Sequence, residues 1–393
     1  MFDFDYWWVF ILPVAFALGW AAARVDIKHL LSESRALPRS YFQGLNFLLN
    51  EQPDKAIDAF VEVVRVDPET IELHFALGNL FRRRGETERA IRMHQNLVNR
   101  ADLSEEQRLH ALYELGQDFL GAGLLDRAEE TLNKLRGTAY EDRARRFLLD
   151  IYQLEKDWDK AADCARALEA QTGLSRQREI GQFYCEIATR ELMRSNHAAA
   201  RTALEAALGA NRLSVRAQVL LGDLHMQLGE TTQAVEAWQR VEQQDPKYLS
   251  LVVQKLIEAY RKLDQIGAGL TLIKGYLERY PSLDLLDAAF TETLQAEGVE
   301  AAYKLVRDEL KRNPTLLGLD HLLEAQIINA PTPEKRSDLE LVRNLVHTHT
   351  QRLARYACES CGFKARQFHW RCLGCGAWES YPPKRSEEFN LAP

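Results

Sequence analysis

The chain has 393 residues and a net charge of −7 with no basic block, which excludes a general affinity for nucleic acid. At 46% hydrophobic and 27% charged residues it should fold as a mostly soluble chain, and its length implies two or three domains or one repeat array. Glycine (21) and proline (12) are sparse beside leucine, alanine, glutamate and arginine, so helix is expected nearly throughout.

Residues Tyr6 to Ala23 carry no charge. As a helix they would rise about 27 Å, close to the roughly 30 Å core of a bilayer. Trp7, Trp8 and Trp20 lie near the ends of the run, and Pro13 is tolerable in a membrane helix. Asp3 and Asp5 stand where a cleaved signal would carry positive charge, whereas Arg24, Lys28, Arg35 and Arg39 follow the run. Residues 1–24 are therefore expected to be an uncleaved membrane anchor, its N-terminus facing outward and everything after Arg24 cytoplasmic. Ala15, Gly19 and Ala23 fall four apart, a spacing that lets a second membrane helix approach.

Residues 37–328 repeat. Gly44, Ala56, Phe60 and Pro68 recur as Gly78 and Ala90 34 residues on, then as Gly116, Ala128 and Leu132, and as Gly222, Ala234, Trp238 and Pro246. Weaker copies carry Tyr152, Ala161 and Leu168; Ala188, Ala200, Leu204 and Ala207; Tyr260, Ile273 and Pro281; and Phe290, Ala302 and Pro314. This resembles the tetratricopeptide repeat, a helix–turn–helix with small residues where helices touch, in eight or nine units. A pair cannot bury its apolar face alone, so neighbours stack into a superhelix with a groove lined by first helices. Phe75, Asn79 and Arg82, Tyr113 and Gln117, and Arg143, Arg146 and Asp150 form rows offset from the packing face, suited to an extended partner segment. No catalytic or phosphate-binding motif occurs, and no catalytic residue is expected.

Residues 329–355 read as a linker followed by a helix whose stripe of Leu341, Val342, Leu345 and Val346 would dock the C-terminal domain onto the array. His347 and His349 are two apart, on different helix faces, which disfavours a metal site there. Cys164 and Cys185 lack a closely spaced partner and are expected to be buried packing residues.

Residues 356–383 carry C-x2-C-x10-C-x2-C: Cys358, Cys361, Cys372 and Cys375. Four thiolates in paired tight turns define a closed tetrahedral site for one metal ion, iron or zinc. Gly362 and Gly376 after each pair permit the positive φ that turns backbone N–H groups toward sulfur. Phe363, Phe368, Trp370 and Trp378 are expected to pack around the knuckles. Residues 384–393 form a tail. The fold class is thus all-α: a tetratricopeptide-repeat superhelix with an N-terminal transmembrane helix and a small C-terminal rubredoxin-like metal-binding domain.

Anchor, array and "YACESCGFKARQFHWRCLGCGAWESYPP" in this order resemble the lipopolysaccharide assembly protein B family along the whole chain. Leu373 stands where that family commonly has proline, which leaves ligation intact. The resemblance implies a non-enzymatic inner-membrane adaptor that promotes degradation of the LpxC deacetylase by the FtsH protease. It further implies restraint by the regulator called LapC, PbgA or YejM, and a link to the lipopolysaccharide transport machinery; a homodimer is left open. The alternatives are a structural tether without a role in proteolysis and a rubredoxin-like electron carrier.

Overall fold

A computed structural model describes residues 39–50, 52–66, 71–353 and 356–383, together with Val14, Phe16, Ala17, Gly19 and Trp20. Those five are helical and exposed, and nothing lies within 4 Å of the Cβ position of Gly19. The rest of the expected anchor, with Ala15 and Ala23, and the tail 384–393 lie outside the described residues. Among the described residues no helix is long and apolar enough to cross a membrane.

Eighteen α-helices run from Arg39 to Leu353 among the described residues, and they follow one another as pairs. The first four pairs are α1 (Arg39–Leu49) with α2 (Pro53–Val66), α3 (Ile71–Arg83) with α4 (Thr87–Val98), α5 (Glu105–Gly121) with α6 (Leu125–Asn133), and α7 (Glu141–Glu155) with α8 (Trp158–Thr172). Then come α9 (Gln177–Met193) with α10 (His197–Ala210), and α11 (Val215–Gln227) with α12 (Thr231–Gln244). A 3-10 helix, Pro246–Leu251, precedes α13 (Val253–Lys262) with α14 (Ile266–Arg279), and α15 (Leu283–Ala296) with α16 (Val299–Arg312) complete the regular series. Last are α17 (Leu316–Ile328) with α18 (Pro333–Leu353), followed by a hairpin of β1 (Tyr356–Ala357) and β2 (Lys364–Ala365) that pairs Tyr356 with Ala365. The chain divides into two compact units, one ending at Ile151 and one beginning at Tyr152, so the boundary falls inside α7.

Each strong repeat closes in the same way. A Cβ on Gly44 would strike the Phe60 ring, on Gly78 the imidazole of His94, on Gly116 Leu132, and on Gly222 the indole of Trp238. The glycine of the first helix is thus a socket for the large side chain sixteen residues later on the second. The small residues of the pattern lie beneath this contact: Ala56, Ala90, Ala128, Ala161, Ala200, Ala234 and Ala302 are all fully buried. Filling a socket forces backbone apart in a close-packed layer. Gly222→Ala is expected to cost about 1–3 kcal/mol, read as a lower urea midpoint; an unchanged midpoint would show that the Trp238 indole can shift freely.

The turn inside each pair is equally regular. Gly85, Gly123 and Gly229 take positive φ (77°, 72° and 78°) just after the first helix. The next N–H then reaches back to the last turn, as Glu86 N to Phe81 O and Leu124 N to Phe119 O, both at 2.9 Å. This left-handed cap satisfies carbonyls that the helix end would otherwise orphan. Lys156, Ser195 and Asp264 hold the same conformation without glycine, at φ 58°, 57° and 57°.

The second unit buries Trp238, Tyr276 and Phe290 in one continuous core that runs from Val215 to Ala325. At its end the structure departs from the docking-helix expectation. The loop before α18 is short, because the helix already starts at Pro333. Leu341, Val342 and Leu345 are exposed (68%, 46% and 61%) and only Val346 is half-buried, so the stripe does not dock the C-terminal domain among the described residues. The reason is electrostatic: Asp320 on α17 is buried and needs cationic partners. Arg343 donates to it at 3.2 Å and to Glu324 at 2.9 Å, and His347 Nδ1 lies 3.0 Å from its other oxygen. The polar face of α18 therefore turns inward.

Candidate metal centre and partner-binding face

The hairpin of β1 and β2 and the loop that closes with the Arg371–Trp378 bridge form two similar knuckles. In the first, Cys358 N donates to Phe363 O and Gly362 N to Cys358 O; in the second, Cys372 N donates to Ala377 O and Gly376 N to Cys372 O. Gly362 and Gly376 have φ of 74° and 72°, as the sequence required. The turns bring all four Sγ atoms within 4.8 Å of one another. Cys358 and Cys375 sulfurs are 3.8 Å apart and those of Cys361 and Cys372 3.7 Å apart. Edges of that length belong to a tetrahedron whose centre is about 2.3 Å from each corner, the length of a metal–thiolate bond. The residues present fit one tetrahedral ion, and a fully thiolate site leaves no open position for a substrate.

The surroundings favour the thiolate at Cys372 and Cys358, whereas at Cys361 the Phe363 N–H is outweighed by burial and the neighbouring cysteine sulfurs, which push that thiol up to about 12. Burial acts to raise the Cys372 thiol, yet the Cys375 N–H, the Tyr381 hydroxyl and the Gly374 N–H hold it down at about 6. Ser380 Oγ, 3.3 Å from Cys358 Sγ, is the main cause of the lowered Cys358. Tyr381 is fully buried and packs with Tyr356, Ala365 and Phe368 as the small core of the ribbon. Cys164 and Cys185 are both buried, and burial pushes the Cys185 thiol up to about 12, consistent with packing and not reactivity.

Two of the four knuckle aromatics serve a different purpose from the one expected. Phe368 joins the ribbon core and Phe363 is largely exposed, but Trp370 and Trp378 face the helices of the second unit. Trp370 stacks on Tyr248 with centroids 5.4 Å apart, and Trp378 meets Trp158 and Phe183 edge-on at 6.0 and 6.1 Å. The Arg216 guanidinium lies 5.8 Å from both indole rings. Gln182 Nε2 donates to Glu379 Oε1 at 2.7 Å, and Ser250 Oγ to Pro383 O at 2.7 Å. Burial raises the Glu379 carboxyl against the pull of Arg178 and Arg216. Trp158, Gln182, Arg216 and Tyr248 were not singled out from sequence. The available signal was an excess of aromatics: a short ribbon cannot bury four large rings within itself.

The rows assigned to partner contact fall into two groups. Phe75 is buried, and Arg82 is fully engaged: it donates to Glu114 Oε2 and Asn79 Oδ1 at 2.5 Å and to Asp118 Oδ1 at 3.0 Å. Asp118 also holds the buried His94, so Arg82 and Asn79 belong to a network that ties α3 to α5. Tyr113 and Gln117 are half-buried, and Arg143, Arg146 and Asp150 are exposed on α7. Burial and Glu114 raise the Tyr113 phenol, while the fields of Arg143, Arg82 and Arg146 oppose the rise. The Tyr113 ring lies 5.8 Å from that of Phe147 on α7, which places the two rows beside each other.

Comparison with known proteins agrees with this architecture. Residues 73–109 and 185–248 each match a tetratricopeptide repeat model, and residues 356–382 match a rubredoxin metal binding domain. A tetratricopeptide repeat protein from Parabacteroides merdae aligns with 74% of this chain and all of its own, at 13% identity and a TM-score of 0.33. Lipopolysaccharide assembly protein B of Escherichia coli K12 is 36% identical over 379 residues, 95% of this chain and 97% of the relative. The protein of the same name from Haemophilus influenzae is 32% identical over 392 residues, 97% and 98% of the two chains. With helix pairs, ribbon and nearly full-length identity in agreement, this chain belongs to the lipopolysaccharide assembly protein B family.

Proposed function

We propose that this chain is a non-catalytic inner-membrane adaptor that regulates lipopolysaccharide synthesis by presenting the LpxC deacetylase to the FtsH protease, and that it assists lipopolysaccharide assembly. The observation that carries this reading is 32–36% identity, over nearly the whole chain, to relatives named for lipopolysaccharide assembly. A helix-pair array is a scaffold for protein contacts, and its rows of arginine, amide and aromatic side chains suit a protein client. The uncharged run from Tyr6 to Ala23 would hold the array beside a membrane protease and raise their effective concentration. The LapC, PbgA or YejM regulator and the transport machinery are the other partners implied. The ion, iron or zinc, is structural in this reading; it holds the ribbon folded and takes no part in chemistry.

The test is the half-life of LpxC. Deleting the gene should lengthen it several-fold, the full chain should restore it, and residues 24–393 alone should restore it poorly. An LpxC half-life that does not respond to deletion would favour a tether for assembly complexes. A colourless, zinc-loaded purified protein would remove the electron-carrier alternative.

A further inference from the structure

Five rings cross the first unit in an unbroken series. Phe75 stacks on His110 at 4.3 Å, His110 faces Tyr140 at 5.9 Å, Tyr140 meets Tyr113 at 5.5 Å, and Tyr113 meets Phe147 at 5.8 Å. They come from α3, α5, α7 and the turn before α7, so the series runs across successive first helices. Phe75 is buried, whereas His110, Tyr113, Tyr140 and Phe147 are half-buried.

Two cations beside this strip remain unspent. Neighbouring arginines are neutralised: Arg82 by Glu114 and Asp118, and Arg145 by Glu141. Arg143 and Arg146 are exposed and form no ion pair among the described residues; the guanidinium of Arg143 lies 5.8 Å from the Tyr140 ring. Asp150 is the acid on the same row. Half-buried rings next to unpaired guanidinium groups offer apolar area and charge in one place, as interface hot spots do. Helices packed about 10 Å apart make three first helices span about 20 Å, the reach of roughly six extended residues. A nucleic acid would meet a chain of net charge −7, and two arginines neutralise few phosphates, so a peptide is the better match.

We infer that this face of the first unit binds an extended acidic segment of a partner protein, its carboxylates paired with Arg143 and Arg146 and an aromatic or large aliphatic side chain laid on Tyr113, Tyr140 and Phe147. The inference rests on the adaptor reading, for which it supplies the client-holding surface, but its test does not pass through LpxC.

The experiment measures fluorescence anisotropy of two labelled twelve-residue peptides with the full chain in detergent. In one, glutamate alternates with phenylalanine and leucine; in the other, lysine replaces each glutamate. The acidic peptide should bind at least about tenfold more tightly and weaken with added salt. Arg143→Glu with Arg146→Glu should reverse the preference between the two peptides. Tyr113→Ala should weaken the acidic peptide without reversing it. Arg92→Glu, a charge reversal at a side chain 73% exposed on α4, should change nothing. The arginine variants should keep the melting temperature of the parent, since those side chains are exposed, and Tyr113→Ala should lower it by a few degrees through the lost contacts with Tyr140 and Phe147 while the chain stays folded. Equal affinity for the two peptides, an unchanged preference in the double variant, no binding of either peptide, or equal competition by oligothymidylate would each overturn the inference. None of these results bears on whether LpxC turnover depends on the chain.

Discussion

Cys361→Ser is expected to empty the metal site and unfold residues 356–383. The side chain is exposed, so the loss cannot be ascribed to packing. The ribbon buries only Tyr356, Cys358, Ala365, Cys372 and Tyr381 with Phe368 against them, too little apolar area to order so short a segment. Metal binding must supply the balance, on the order of 10 kcal/mol for a structural thiolate site. A hydroxyl in place of one thiolate opens the coordination shell and removes most of that free energy. Metal analysis should show substoichiometric loading, and limited proteolysis should cut within the ribbon. The helices should keep their circular dichroism, because the core around Trp238, Tyr276 and Phe290 is built almost wholly from the array. Full metal content together with parental protease resistance would refute the closed-site account.

What could be read in advance was what is encoded locally. The metal ligands lie within eighteen residues of one another, and the glycines that shape their turns are adjacent to them. The strong repeats announced themselves because glycine and its large partner are fixed sixteen residues apart. The weak repeats were blurred for a physical reason: Lys156, Ser195 and Asp264 adopt the left-handed turn at a modest steric cost and so leave no glycine to mark it. Arg82 looked free because its acids come from the next repeat, 32 and 36 residues later. The docking of the ribbon was least legible, since Gln182 and Glu379 are 197 residues apart and Ser250 and Pro383 are 133 apart. No local pattern encodes such a pairing. The exposed stripe of Leu341, Val342 and Leu345 misled for the converse reason: apolar periodicity cannot register a buried Asp320 on the helix before it.

Arg216→Ala should separate the folding of the ribbon from its docking. The ligands and knuckle hydrogen bonds all lie within residues 356–383, so the variant should still load its ion. What it loses is the bridge to the array. Arg216 is buried; it donates to Gln182 Oε1 at 3.2 Å and Glu186 Oε1 at 2.8 Å, and stands against Trp370 and Trp378. Truncation leaves Glu186 without its cation and both indoles without theirs, at an expected cost of about 2–4 kcal/mol. Proteolysis should then release the ribbon from the array while it remains metal-bound. Docking and loading are also linked: if only the loaded ribbon docks, weaker docking lowers metal affinity by the same free energy, roughly 30- to 700-fold. Competition with a graded series of chelators reads that shift directly. Arg216→Lys should recover little of it, because an ammonium cannot face two rings and two acceptors at once. A variant with parental protease resistance and metal affinity would mean that stacking of Trp370 on Tyr248 holds the ribbon without the arginine.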